Sequence, residues 1–416
     1  MEYRGTRFWM AVLALVVTAA SLAEAQVYYR RDPKERPAEL DVAGRLYKPA
    51  GQVRLWEFRL HGFLSERVTY DDNIFLNPYH GDTEEDFISQ TALGLRVDLP
   101  PGRHEILAGY QARIVEFFKS NEHDTIEHQA FFKGSLNFDA FFLDVWDDLE
   151  KESDPTDLVY SDRVDRWKNT LGVRTGLIVQ RLFVEASYQN RWFEFRSPFT
   201  SLSRVENYFH LTAHVMLREE AKILQQFFGF LELEFGHFRF RTDANNDSNY
   251  TALWLGAKGT LYEELPFLLK VGYLKQIAAS DGANPDEKDY EGPVWEAKLS
   301  YRLDLLYTFA LTCYRRVEVS GSSNYRVYDR GEFSFEMQFP PKITDRLYAG
   351  LHLFFDTAAP SNSRAYSRWG GGVKIEYAFQ DWAFFGLSYE YRYRWTQIPD
   401  ADYRQNQVSI HATFVY

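Results

Sequence analysis

The chain has 416 residues, a net charge of −12, a single cysteine and 17% aromatic residues. The lone Cys313 excludes an intramolecular disulfide framework and any cysteine-built zinc site, and no nucleic-acid partner is expected of so acidic a chain. Apolar residues come in short alternating segments at a mean hydropathy of −0.41, the dilution expected when only every second residue of a strand meets lipid.

At the N-terminus Arg4 and Arg7 precede the apolar run Phe8 to Ala20 and the small-x-small triplet Ala23-Glu24-Ala25. This reads as a signal peptide over 1–25, its apolar run shorter than the ~20 residues of a membrane-spanning helix. Residues 26–53 combine prolines, mixed charge and no sustained period, and read as a periplasmic N-terminal extension. From 54 to 416 the chain reads as strand, turn, strand. Strand 1 is expected from Arg54 to Tyr70, with Phe58, Leu60, Gly62 and Leu64 on one face. Thr91 to Leu99 and Ile106 to Ile114 alternate in the same way. Similar segments recur at Ala130–Phe138, Phe141–Val145, Trp167–Leu177, Leu182–Trp192, Val205–Leu217, Leu231–Phe235 and Leu253–Ala257. Further ones follow at Phe267–Tyr273, Trp295–Tyr301, Tyr307–Cys313, Phe333–Phe339, Leu347–Phe355, Val373–Phe379 and Leu387–Tyr393. Cys313 falls on the apolar parity and is expected to face lipid. The run 219–226 (EEAKILQQ) admits one helical turn instead of strand.

Short connections, such as Pro100-Pro101-Gly102, Val179 to Arg181 and Gln380 to Trp382, alternate with long polar ones at Asp71 to Asp86, Asp147 to Asp165, Asp281 to Gly292 and Ala358 to Ser367. Short periplasmic turns and long extracellular loops build transmembrane barrels. The expected fold is therefore all-β, a transmembrane antiparallel up-and-down β-barrel of about 18 strands, 16 being the alternative, with both termini periplasmic. A propeller would show a repeat of about 40 residues, and none is visible.

The last segment, Arg404 to Tyr416, sets Val408, Ile410, Ala412, Phe414 and Tyr416 against Gln407, Ser409, His411 and Thr413. Val408, Ile410, Phe414 and Tyr416 are expected to lie on the barrel-closing strand, paired with strand 1 so that no edge remains. The pattern resembles the C-terminal signature of bacterial outer-membrane barrels. That resemblance implies the cell outer membrane as location, outer-membrane lipid and lipopolysaccharide as surroundings, and the barrel-assembly machinery as a partner.

Charge is unevenly placed. The loops 71–86, 147–165 and 281–292 net −6, −6 and −4, leaving about +4 elsewhere. The inward parity carries Arg59, Arg67, Arg96, Arg113, Arg166, Lys168, Arg174, Arg191, Arg326, Arg330, Arg392 and Arg394, interleaved with acids such as Glu185, Glu232, Glu332 and Glu390. These cations are the pore-lining candidates for an anionic or neutral polar solute; equally, they fit an ion-paired polar wall of the kind any barrel contains. Tyr208, Phe238, Phe240, Trp254 and Tyr348 share that parity and raise a sugar-stacking track as one reading.

No G-x-S-x-G, H-E-x-x-H or P-loop motif occurs, so the chain is not expected to be an enzyme, although a Ser/His or Asp/His constellation at one rim would leave no sequence motif. No cofactor or metal is expected. His210 and His214 share a face, but at strand spacing they lie about 13 Å apart, too far to hold one ion. The run Asp243 to Asn249 offers oxygen ligands at alternate positions, yet Ser248 and Trp254 stand where a calcium loop needs Gly and Glu, so it reads as a solvated hairpin loop.

One local motif stands out: Tyr70-Asp71-Asp72-Asn73 at the end of strand 1, followed by Asp86-Phe87-Ile88. Over about thirty residues it resembles the opening of the beta-barrel porin 2 family. Some of that family's members are linked to exopolysaccharide export, so the resemblance implies a conduit working with periplasmic polysaccharide-export proteins. Three functional classes remain open on the sequence: a porin-like conduit for a polar solute, above all for polysaccharide export; a non-conducting barrel anchoring a partner; and a barrel enzyme.

Overall fold

In the computed structural model the described residues run from 53 to 415. Excepted are 56–57, 79–82, 100–102, 139, 154–162, 219–223, 262–264, 280–281, 284–285, 287, 304–305, 321–322, 340–345, 363 and 398–401. The signal-peptide segment, the extension as far as Gln52, the Pro100–Gly102 turn and Tyr416 lie outside them.

A short strand β1 (Val53–Leu55) precedes β2 (Phe58–Asp71), β3 (Asp86–Asp98), β4 (His104–Phe117), β5 (Thr125–Asn137) and β6 (Phe141–Glu152). Next come β7 (Arg166–Val179), β8 (Leu182–Phe195), β9 (Arg204–Arg218), β10 (Leu224–Phe240), β11 (Ser248–Leu261) and β12 (Leu265–Ala278). The chain continues through β13 (Tyr290–Leu303), β14 (Tyr307–Glu318), β15 (Arg326–Gln338), β16 (Leu347–Pro360), β17 (Tyr366–Gln380), β18 (Ala383–Thr396) and β19 (Tyr403–Val415). Each strand from β2 onward pairs antiparallel with its neighbour in sequence, and β19 pairs with β2. Eighteen strands thus close an up-and-down barrel, the larger of the two expected counts. A 13-residue strand such as β3 rises about 33 Å at a tilt of ~40°, more than the ~25 Å apolar band of a membrane barrel, so its ends reach polar surroundings.

The two parities of every strand face different solvents. Leu64, Leu93, Leu255, Val271, Leu353, Ile375, Leu387 and Ile410 are exposed on one parity, an apolar band that only lipid can cover. Cys313 shares this outward parity, opposite Ala297 and Gly331. Toward the extracellular ends the band gives way to outward tyrosines whose hydroxyls meet polar side chains one strand away. Tyr70 donates to Glu85 (2.7 Å), Tyr188 to Asn207 (2.7 Å), Tyr273 to Glu291 (3.1 Å) and Tyr389 to Asn406 (2.8 Å). An apolar ring with a hydrogen-bonded tip suits the membrane–water boundary.

The structure corrects several expectations. Tyr290 to Gly292 belong to β13, and Tyr366 and Ser367 to β17, not to loops. Strand 1 does not run unbroken from Arg54: β1 folds back antiparallel onto the start of β2, with Val53 opposite Leu60. Asp147 to Glu152 is not loop but the upper half of β6, with Asp148, Glu150 and Glu152 turned inward against Gln129, Lys168 and Arg166 on adjoining strands. Ala358 to Pro360 belongs to β16, paired with Arg326 to Tyr328. Leu224 to Gln226 belongs to β10 rather than to a helical turn.

Candidate functional site

The inward parity forms the site. All twelve cations singled out in the sequence project from it, and most are held by a carboxylate on the same or an adjoining strand. Arg59 and His61 share Asp98 at 2.5 and 2.6 Å, with Arg96 at 3.8 Å. Arg113 meets Glu127 (3.1 Å), Arg166 meets Glu152 (2.9 Å), Lys168 meets Glu150 (2.9 Å) and Arg174 meets Asp144 (3.1 Å). Across the barrel Arg326 meets Glu318 (2.6 Å), Arg330 meets Glu332 (3.2 Å) and Arg392 meets Glu390 (3.0 Å). Arg191 lies over the Tyr208 ring (4.9 Å) and Arg394 over Tyr403 (4.6 Å). Arg67 makes no ion pair among the described residues, and its side chain is exposed on the inner face.

Sequence reading missed the tightest inward group. Asp356, wholly buried, accepts from Arg368 through Nε (2.9 Å) and Nη2 (3.1 Å) and from the Tyr328 hydroxyl (2.8 Å). Arg368, the third residue of β17, lies between the expected loop Ala358–Ser367 and the expected strand from Val373, so the sequence reading gave it no face. Arg316 was missed as well; it lies 3.7 Å above the Tyr314 ring, exposed to the bore and without an ion pair among the described residues.

The inward aromatics lie flat on the wall instead of crossing the bore. Gly236 leaves room for the Tyr250 ring, which sits 1.8 Å from where a Cβ would be; Gly172 does the same for Trp146 at 2.1 Å. Phe238, Tyr250 and Trp254 pack with Ala252, Leu274 and Val294 into one buried cluster. Phe238, Phe240 and Trp254 are therefore buried and offer no open ring face, which corrects the stacking-track reading for those three. Tyr208 remains half-buried beneath Arg191.

Among the described residues one group has metal-like spacing: His210, Glu232 and Glu234, with ligand atoms within 4.8 Å of one another. Its carboxylates are already taken. Glu232 holds His210 (3.2 Å) and Lys270 (3.6 Å), while Glu234 accepts from Trp254 Nε1 (2.9 Å) and the Tyr250 hydroxyl. His214, the other histidine of the pair, stacks with Phe183.

The Tyr70–Asn73 motif sits at the seam between first and last strand. The β19–β2 ladder reaches Gln407 opposite Asp71, and above it the backbone bond from Asp72 N–H to the Asn406 carbonyl (3.2 Å) is joined by side chains. Asp71 accepts from Gln405 and Gln407, both at 2.8 Å, and Asp72 from the backbone and side chain of Asn406, both at 2.6 Å. Asn73 donates to the carbonyls of Arg404 and Asn77 (2.9 Å each) and accepts from Asn77 N–H (2.7 Å). Asp86, wholly buried, receives the backbone N–H groups of Phe87, Lys119 and Ser120. Phe87 packs its ring 5.2 Å from Tyr70. The barrel-closing residues lie on the outward face of this seam, Val408 opposite Tyr70, Ile410 opposite Val68 and Phe414 opposite Leu64.

No family model and no curated protein matches the chain. Solved structures align with most of its length at TM-scores below 0.5. The outer membrane protein OpdK of Pseudomonas aeruginosa is 12% identical, with a TM-score of 0.47 over 86% of this chain and 99% of its own. OccK2 of the same organism, solved in complex with glucuronate, is 11% identical with a TM-score of 0.48 over 86% and 98%. A BenF-like porin of Pseudomonas fluorescens is 11% identical with a TM-score of 0.47 over 86% and 99%. By its own strand register and its two contrasting faces, this chain is a closed eighteen-stranded transmembrane β-barrel of the outer-membrane type.

Proposed function

We propose that the barrel is a passive outer-membrane conduit for a polar solute, in its specific form the exit of an exported polysaccharide. The observation that carries this reading is the exposure of charged side chains on the inner face: Arg67, Glu105, Lys298, Arg316, Glu336 and Arg392 are all open to a bore that a packed interior would have filled. The bore wall carries both signs on each side: Asp144, Glu150 and Glu152 face Arg174, Lys168 and Arg166 between β6 and β7, and Arg326, Arg330 and Arg368 face Glu318, Glu332 and Asp356 around β15. Fixed charges of both signs along the wall suit a hydrated, hydroxyl-rich solute.

The resemblance of the Tyr70–Asn73 and Asp86–Ile88 segments to the beta-barrel porin 2 family supports the export form. In that form the barrel works with periplasmic polysaccharide-export proteins, is inserted by the barrel-assembly machinery and is surrounded by lipopolysaccharide. Deleting the gene and measuring secreted and surface polysaccharide tests it: polysaccharide should be retained in the periplasm. Unchanged secretion would rule out export while leaving diffusion of smaller polar solutes to be assayed by vesicle swelling.

A further inference from the structure

Two groups of extracellular loop residues fold into the barrel mouth, and they do so from opposite sides. On one side Asn73 to Asn77 forms a hook. Leu76 N–H donates to the Asn73 carbonyl (3.2 Å), Ile74 N–H to the Glu84 carbonyl (3.0 Å), and Leu76 takes a left-handed φ of 57° to complete the turn. The hook drives Ile74 and Phe75 against Ile88, Val115 and Phe117, which are inward residues of β3 and β4. Anything packed on that face stands inside the bore. His123 from the next loop lies against Phe75 (4.9 Å) and Arg163 covers Phe117 (4.7 Å), so three loops converge there.

On the other side four loops are knotted by polar side chains, those of Asn246, Asp286 and Asn324 being buried. Asn246 donates through Nδ2 to the Asp286 backbone carbonyl and to Asn324 Oδ1, both at 2.9 Å, and its Oδ1 accepts from Gly282 N–H (2.9 Å). Asp286 accepts from Asn324 N–H (2.9 Å), Lys288 N–H (3.1 Å) and the Ser361 hydroxyl. Asn324 donates back to the carbonyls of Asp286 (2.7 Å) and Lys288 (3.2 Å). Gln276, an inward residue of β12, donates to Ser248 Oγ (2.9 Å) and to the Asn324 carbonyl (3.4 Å), which seats the knot on the inner wall of β11 and β12. The stretch 243–249, expected to be a solvated hairpin loop, is thus partly buried.

In the closed ring β3 and β12 are nine strands apart, half the circumference. We propose that the Ile74–Leu76 hook and the Asn246–Asp286–Asn324 knot are two fixed jaws that form the size-selecting constriction of the conduit at its extracellular mouth. Both are held by buried hydrogen bonds and tight packing, so the cutoff is a built dimension instead of a gate. This inference rests on the conduit reading.

The test uses the intact protein, inserted in one orientation in planar bilayers, with poly(ethylene glycol) of graded size added to one side at a time. A mouth constriction predicts asymmetry: polymers added at the periplasmic side enter and lower the conductance at sizes that have no effect from the extracellular side. Equal cutoffs from both sides, or a smaller cutoff from the periplasmic side, would overturn the jaws. Replacing Ile74, Phe75 and Leu76 together by glycine, and separately Asn324→Ala on the other jaw, should raise the extracellular cutoff and the conductance, the former by about twofold. The two variants lie on different sides of the ring, so a folding defect in one leaves the other informative. Folded variants with unchanged cutoff would contradict the inference. A silent wild-type protein whose jaw variants are also silent would instead defeat the conduit reading.

Discussion

Asn73 shows how much a single side chain can hold when it replaces a missing ladder. It is wholly buried and ties its own loop to Arg404, 331 residues away in sequence. Asn73→Ala would leave the Arg404 carbonyl and Asn77 N–H without that partner, at about 1–3 kcal/mol for each buried group stranded. The folded form should then be lost at a lower temperature in heat-modified electrophoresis; an unchanged transition would refute the latch. Beside it, the Lys119 ammonium and the Tyr70 hydroxyl hold the Glu85 carboxyl below the usual carboxylate range. The stabilisation from that contact is present above the ordinary range and is lost as pH falls through the depressed value, so Lys119→Met should move the Glu85 titration upward. Asp356 is the inward counterpart of Asn73. Asp356→Ala leaves the Arg368 guanidinium buried without its carboxylate, and breaking such a pair costs about 3–5 kcal/mol. Urea unfolding in lipid vesicles would register the loss. The Asp71-Asp72-Asn73 motif was conspicuous in the sequence, and pairing the last strand with the first brought it to the seam; its individual partners Gln405 and Asn406 were not legible, because no local pattern marks side-chain contacts more than 300 residues away.

At the scale of the strand, period-2 alternation carried most of the assignment, and it failed where charge interrupted it. The acids of β6 made Asp147 to Glu152 look like loop, whereas they alternate between faces as strictly as Leu143 and Val145 do with Phe142 and Asp144. In a bore-lining strand a carboxylate is as ordinary inward as a leucine is outward, so acidity alone does not end a strand. The same two-faced rule gives a prediction. Leu255→Arg on the outward face of β11 should cost about 2–4 kcal/mol if it lies near the membrane midplane. Thr260→Arg on the inward face of the same strand should cost much less. Equal penalties would mean that the two faces have been misassigned. The knots between loops were not legible at all, since Asn246, Asp286 and Asn324 lie about 40 residues apart and carry no period.

For the whole molecule, closure and polarity together carry the proposed conduit reading. Eighteen strands leave no edge, the outward face requires lipid, and the inward face keeps charges open to water. Two cations exposed to the bore without an ion pair among the described residues, Arg67 and Arg316, should set part of its preference. Replacing both by glutamine should shift the reversal potential under a salt gradient toward cation selectivity, and no shift would show that neither reaches the ion pathway. The central claim is tested most directly by recording the purified wild-type barrel in a planar bilayer across a range of voltage and salt. The account predicts stepwise currents of one unit conductance that persist at low voltage. A bilayer containing the folded barrel that shows no steps under any of these conditions would contradict it.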